Sequence, residues 1–167
     1  MRLSPATVAD ERDWVRDRTA VVTLINGVRS DLGELFGVEV DPVSETAYRA
    51  EVDAVFADGD LAVNVAALVA LLRDLDVEDD YPGFVVDELL GRELAGMLAG
   101  TQPLRLLGEA TFHYADVGHH PEDETASDAE SPEPAGVDDL EAALAAGFQT
   151  RLPGWDWTDG DSPFAVK

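Results

Sequence analysis

Apolar residues recur at helical spacing over most of this chain, and no other feature limits its fold as strongly. In residues 7–36 they follow the 3.6-residue period of an amphipathic helix, at Val8, Val15, Val21, Val22, Ile25, Val28, Leu32, Leu35 and Phe36. We predict one long first helix that begins near Thr7 and Asp10. Within it, Ala20 to Ile25 is rich in β-branched residues and would also suit a strand.

Turn and capping residues divide the following sequence into four further helices. They begin after Ser44, after Asp60, at Phe84 and at Pro103, and they end at Asp58, Leu75, Ala99 and about Val117. The helix Leu61 to Leu75 is apolar almost all round, which is typical of a helix in the middle of a bundle. Five helices with short connections predict an all-α, antiparallel bundle over residues 1–118.

The composition changes after Gly118. Residues 121–134 hold six acids and three prolines, and none of their apolar residues is larger than alanine. Such a stretch cannot build a core, so we predict an acidic, Pro- and Ser-rich linker over residues 119–137. The remaining residues, 138–167, are predicted to form a short helix of two to three turns and an aromatic tail. Asp138 and Glu141 have capping-box spacing at its start.

The tail contains three large aromatic residues, Trp155, Trp157 and Phe164. A large aromatic side chain buries about 150–250 Å² when it is packed, so exposed tryptophans would be costly. We expect them to dock. One alternative is a strap in cis across the bundle, and the other is attachment to a partner protein.

The charge balance is strongly acidic, because 35 Asp and Glu stand against 11 Lys and Arg for a formal net charge of −24. Such self-repulsion weakens a compact state in dilute buffer, but the Debye length falls to about 3 Å near 1 M salt. The only lysine is Lys167. In its acid-rich, lysine-poor composition the chain resembles the proteins of salt-in haloarchaea, which implies a halophilic protein.

Composition also argues against several partners and compartments. Nucleic acids and anionic membranes bind proteins through clustered basic residues. In this chain the densest basic stretch, residues 12–18, is interleaved with acids. Cysteine is absent, which excludes disulfides and thiolate metal sites. The charged start does not fit a signal peptide. The longest uncharged apolar stretch, Leu61 to Leu72, is shorter than the roughly 20 residues of a membrane span. We expect a cytoplasmic protein.

A metal site is the sharpest chemical hypothesis. Glu109, His113 and Asp116 are spaced i, i+4 and i+7, so they share one face of the predicted fifth helix, and His119 and His120 follow in a loop. Imidazole with carboxylates suits a divalent metal. The alternative is a solvated outer face, because any amphipathic helix in so acidic a chain carries carboxylates there. The H-E-x-x-H motif is absent.

Phosphate-binding glycine loops and a serine-nucleophile elbow are also absent from the sequence. By elimination we expect a non-enzymatic, chaperone-like helical interaction or assembly protein that binds a protein partner and needs no cofactor. A divalent-metal-binding protein or metal-dependent enzyme is the alternative. In helix number the chain is similar to helical maturation chaperones of the TorD and NarJ type, which bind peptides of redox enzymes. The loop motif of those chaperones is poorly matched by Glu78 to Pro82.

Overall fold

A computed structural model of the chain describes residues 1–76, 86–118 and 135–155. Those residues form seven helices and no strand, which confirms the all-α class. The predicted linker lies outside the described residues except for its last three positions, which are helical. The helices are α1 Pro5–Asp17, α2 Thr19–Phe36, α3 Glu45–Ala57, α4 Gly59–Asp74, α5 Val86–Ala99, α6 Leu104–Gly118 and α7 Ala135–Gln149.

The predicted first helix is two helices that meet at Arg18. The backbone there has φ −79° and ψ 84°, outside the helical region. No glycine or proline marks the break. The Arg18 side chain instead forms an ion pair with Glu141 of α7 and lies over the Trp14 ring, 5.1 Å from its centroid. Arg73 of α4 lies 4.7 Å from the same centroid. Residues 20–25 are helical, so the strand alternative does not apply.

Side-chain caps fix the starts of α3 and α4. The Ser44 hydroxyl accepts a hydrogen bond from the backbone N–H of Ala47, as its position before α3 predicted. At α4 the cap is Asp58, whose carboxylate accepts from the N–H of Leu61, two residues earlier than the expected Asp60. Asp58 therefore ends α3 and begins α4 with no intervening loop.

The centre of the fold is α7 rather than α4. On α4 one face is buried, while Val63 and Leu71 remain 43% and 42% exposed. In contrast, α7 packs against α2, α4, α5 and α6, and nearly every side chain after Asp138 is buried. The helix is also longer than the predicted two to three turns, because Ala135, Gly136 and Val137 precede the expected start.

Small residues allow this close packing of α7. A Cβ on Gly147 would lie 2.5 Å from the Cβ of Leu98 on α5, closer than real contacts permit. A Cβ on Gly136 would meet the carbonyl oxygen of Leu72 at the end of α4. The Ala and Gly residues of α7 therefore let neighbouring backbones approach it closely. Because these residues are small, the pattern of large apolar residues in the sequence does not indicate that α7 is central.

Among the described helices, no single one combines the length and apolar composition needed to cross a membrane. The α3 and α4 segments pass that test as a pair, but they are bent by 111° at their junction.

Candidate functional site

The predicted metal-binding face lies on α6. There the Glu109 carboxylate accepts a hydrogen bond of 3.0 Å from Nε of Arg105, one turn earlier, and His113 is exposed. Within residues 1–76, 86–118 and 135–155, no three His, Cys, Asp or Glu side chains form a group that could hold a metal ion. The structure therefore does not bring Glu109, His113 and Asp116 together as a ligand set.

His119 and His120, the other two predicted ligands, lie outside the described residues. The metal site therefore stays a prediction.

A different set of carboxylates comes together where α5, α6 and α7 meet. Asp139 of α7 is only 9% exposed. Its burial, followed by the nearby charges of Asp116 and Asp87 and a hydrogen bond with Asp87, raises its pKa to about 8. Asp138 on the same helix adds a smaller effect in the same direction. Asp139 is therefore largely protonated near neutral pH, and its environment favours the neutral carboxyl.

The sequence pattern does not indicate that Asp139 is buried, because Asp138 and Glu141 have the spacing of a helix-start signal. Asp138 and Asp139 both lie between the buried residues Val137 and Leu140, yet Asp138 is exposed and Asp139 is buried. The local sequence therefore does not distinguish the two carboxyl groups, and the packing of α7 against α5 and α6 does.

The first tail tryptophan docks in cis. Trp155 is 2% exposed and lies against Arg29 of α2. This contact agrees with the first alternative for Trp155, while a strap across the bundle is not confirmed. Trp157 and Phe164 lie outside the described residues, so their role in partner binding stays a prediction.

Arg29 is the residue that holds the end of α7, and it is 1% exposed. Its Nη2 donates to the carbonyl oxygens of Gln149 and Leu152, each at 3.1 Å. Its Nη1 donates to the carbonyl oxygens of Pro153 at 2.7 Å and Asp41 at 3.1 Å. Three of these four acceptors lie at or just after the C-terminus of α7, where helix carbonyls lack intrahelical donors and the helix dipole favours a cation.

Burial lowers the pKa of Arg29 to about 10, so the guanidinium is still a cation at neutral pH. This role of Arg29 is not among the predictions above, although the sequence carries a signal for it. Arg29 follows Val28 directly and lies one turn after Ile25, inside the apolar stripe of α2. A cation within such a stripe either reaches solvent or finds buried acceptors, and here it finds carbonyls.

An open apolar groove lies between α1 and the junction of α3 with α4. Its volume is about 460 Å³, within the roughly 300–1,000 Å³ of ligand pockets. The α1 side and the residues before it contribute Leu3, Ser4, Pro5, Val8, Ala9 and Arg12, and the other side contributes Phe56, Gly59, Ala62 and Val63. Val8 and Ala9 are half-buried in this groove, whereas Leu3 and Val63 are exposed.

The two polar side chains of the groove already have partners. Ser4 caps α1 by accepting a hydrogen bond from the N–H of Thr7 at 3.2 Å. Arg12 donates to one Asp13 oxygen from Nε at 2.9 Å and from Nη2 at 2.7 Å. The groove is thus suited to contact with apolar groups rather than to acid–base chemistry.

Comparison with curated proteins gives no match, and comparison with solved structures gives none either. A family model described as a domain of unknown function (DUF7984) matches residues 1–167. That match includes the seven described helices, the groove between α1 and the α3–α4 junction and the Arg29 contacts at the end of α7. Because it covers residues 1–167, the chain belongs to the DUF7984 family.

Proposed function

We propose that this chain is a non-enzymatic, chaperone-like protein-binding domain of a halophilic cytoplasm, and that it binds its partner in the groove between α1 and the α3–α4 junction. The observation that carries the proposal is the groove itself. It exposes apolar side chains of helices whose other faces are packed into the core. Apolar grooves between helices are a recurrent way of binding the apolar face of a partner segment.

The distribution of basic residues supports the high-salt part of the proposal. At least seven of the arginines form ion pairs with carboxylates of this chain, several of them between helices. Arg16 pairs with Asp53 of α3, and Arg151 pairs with Glu51. These cations join separate segments of the fold, and the chain has 35 acids for only 11 basic residues, so acidic charge remains in large excess. Screening by salt would relieve the remaining repulsion.

Site-specific photo-crosslinking tests the proposed binding surface. A photoreactive amino acid replaces Val63 in the groove, or Leu71 on the same helix outside the groove lining; the two side chains are almost equally exposed. After illumination of cells at their native ionic strength, we expect discrete protein adducts from position 63 and not from position 71. Equal adducts from both positions, or none from position 63, would contradict the proposal.

A further inference from the structure

We propose that α1 is a hinged arm with two positions. In the structure it is bent away from α2 at Arg18 and packs mainly on α3 and α4. In the second position α1 and α2 form one continuous helix over residues 5–36, and α1 leaves α3 and α4. This inference goes beyond the proposed function, because the position of the arm can be measured without a partner.

The local sequence favours the continuous helix. Residues 6–26 contain neither glycine nor proline, and Val15 and Val22 keep the i, i+7 spacing of one helix face across Arg18. The residues on either side of Arg18 are already helical. At Arg18 itself φ is −79°, and the departure from a helix lies mainly in ψ, which is 84° rather than about −42°. A change in this one torsion angle would therefore join the two helices.

Two side chains of α3 hold the bend. In a continuous helix the carbonyl oxygens of Val15 and Arg16 accept from N–H groups four residues later. Here the Tyr48 hydroxyl donates to the Val15 oxygen at 2.8 Å, and Nε of Arg49 donates to the Arg16 oxygen at 3.4 Å. Tyr48 and Arg49 thus bind carbonyls that become free where α1 ends. The two positions of the arm exchange one set of hydrogen bonds for another, so both carbonyls have a donor in each position.

Contacts around Trp14 hold the same bend. Arg18 lies over the Trp14 ring and pairs with Glu141 of α7. Arg73 of α4 lies over the same ring and pairs with Glu11 of α1 at 2.6 Å. Because Arg73 stays on α4 when α1 moves, straightening breaks both of its contacts. Partly exposed ion pairs contribute little each, so this set can be broken while the core remains folded.

The weak anchoring of α1 makes it the part that moves. Of its 13 residues only Val15 is buried, whereas α2 buries seven. The groove of about 460 Å³ beside α1 shows that its contact with α3 and α4 is incompletely packed. An element with few buried residues opens at a lower cost in free energy than the core does. We therefore expect α2 to stay on α7 while α1 rotates at Arg18.

Spin labels measure the position of the arm. The chain has no cysteine, so Ala6→Cys/Ser30→Cys places one label on α1 and one on α2, both at exposed positions. In a continuous helix the two positions are 24 residues apart, or about 36 Å along the axis, and the bend shortens this distance. Double electron–electron resonance in molar KCl, with labelled protein diluted in unlabelled protein, measures the distance within one chain. We expect mainly the shorter distance when Arg18 and α3 are unchanged.

Two substitutions at the hinge form a matched pair. Arg18→Ala and Arg18→Gly both remove the side-chain contacts with Trp14 and Glu141. They differ in helix propensity, because alanine favours a helix over glycine by about 1 kcal/mol, which is about fivefold in population. We expect the ratio of the 36 Å population to the shorter one to be about fivefold higher in Arg18→Ala than in Arg18→Gly.

Substitutions away from the hinge separate the α3 contacts from general effects. Tyr48→Phe removes the hydroxyl that donates to Val15 and should also raise the 36 Å population. Arg12→Ala is the control, because it removes an arginine whose ion pair is with Asp13 of the same helix. It should leave the distance distribution unchanged. Far-UV circular dichroism of each variant confirms that it is folded.

The groove depends on the position of the arm, because α1 forms one of its walls. Straightening separates Val8 from Val63, so photo-crosslinks from position 63 should be fewer in Arg18→Ala than in Arg18→Gly. This expectation alone rests on the proposed function. Absence of adducts from position 63 in every variant would contradict the proposed function, while the spin-label distances decide the hinge independently.

Three outcomes of the distance measurement would overturn the hinged arm. One is the absence of a 36 Å population in both Arg18→Ala and Tyr48→Phe. Another is an equal distance distribution in Arg18→Ala and Arg18→Gly, which would show that α1 does not join α2 as a helix. The third is a single distance near 36 Å with Arg18 and α3 unchanged, since the bend would then not be the resting form.

Discussion

The guanidinium of Arg29 lies over the indole ring of Trp155, with Cζ 5.7 Å from the ring centroid, although 126 residues separate them in the sequence. Both side chains are almost fully buried. The contact joins α2 to the segment that follows α7, and the four carbonyl groups bound by Arg29 strengthen the same connection. Cation–π stacking in a desolvated site contributes about 2 kcal/mol.

Replacement of Arg29 should therefore destabilise the fold. Arg29→Ala removes the donor of two buried and two part-buried hydrogen bonds to carbonyls, and we expect the free energy of unfolding to fall by about 3–5 kcal/mol. Urea denaturation in molar KCl measures this change in the free energy of unfolding. Urea is the suitable denaturant because it adds no ionic strength. Arg29→Met, which keeps much of the side-chain volume, should lose nearly as much. A loss below about 1 kcal/mol in both variants would show that the carbonyl contacts contribute little.

The environment of Trp155 is checked by fluorescence. In the variant Trp14→Phe/Trp157→Phe, Trp155 is the one remaining tryptophan, and its emission should be blue-shifted in the native state because the indole is buried. Unfolding in urea should move it to the red. Trp155→Ala should lower the free energy of unfolding by about 3–5 kcal/mol, as expected for a buried large aromatic residue. Red-shifted native emission would place Trp155 in solvent and contradict the docking in cis.

The pKa of Asp139 gives a stability change of defined sign. An unfolded aspartate titrates near pH 3.9, whereas the folded carboxyl has a pKa of about 8. Between these values the folded state holds a proton that the unfolded state has lost, so this group makes the free energy of unfolding fall as pH rises. Its stabilising contribution is fully present below about pH 4 and is lost by about pH 8.

Asp139→Asn removes the titration while keeping the size of the side chain. We expect the stability of this variant, relative to wild type, to rise from pH 5 to about pH 8 and then to level off, in thermal melts at fixed KCl concentration. Asp138→Asn, at the exposed neighbouring position, serves as the control and should change this slope much less. Parallel pH profiles for wild type and Asp139→Asn would show that the folded carboxyl titrates normally.

Salt should stabilise the whole fold. With a net charge of −24, the thermal midpoint is expected to rise between low salt and molar KCl as repulsion between carboxylates is screened. Differential scanning calorimetry over a KCl series measures this. A midpoint that stays flat or falls across the series would be inconsistent with a halophilic protein.

The predicted metal site is tested by metal analysis of protein purified without chelators. A site centred on His113 requires a stoichiometric divalent metal that is lost in His113→Ala, because a central ligand cannot be removed without opening the site. Since Glu109 is bound to Arg105 and His113 is exposed, we expect the same, substoichiometric metal content in both proteins. Stoichiometric metal in the wild type alone would restore the metal-dependent alternative.

The parts of the fold that local sequence determines were predictable. Ser44 caps α3 through its own hydroxyl, and the apolar spacing of residues 21–32 matches the buried face of α2. The break at Arg18 was not predictable from local residues, because it coincides with contacts to Trp14 and to Glu141 of α7. The groove was also not predictable from local residues, because Val8 and Val63 line it together only after α1 and α4 have packed.

The central position of α7 has a consequence for how the chain is made. A ribosome releases residues 1–118 before Leu140, Leu144 and Phe148, the side chains that complete the core. Until they emerge, α2, α4, α5 and α6 lack the helix on which they pack, and Arg29 lacks acceptors that are 120 or more residues away. The core therefore cannot be completed before α7 and Trp155 have emerged, and until then the apolar surface of the preceding helices is open to aggregation and to chaperones.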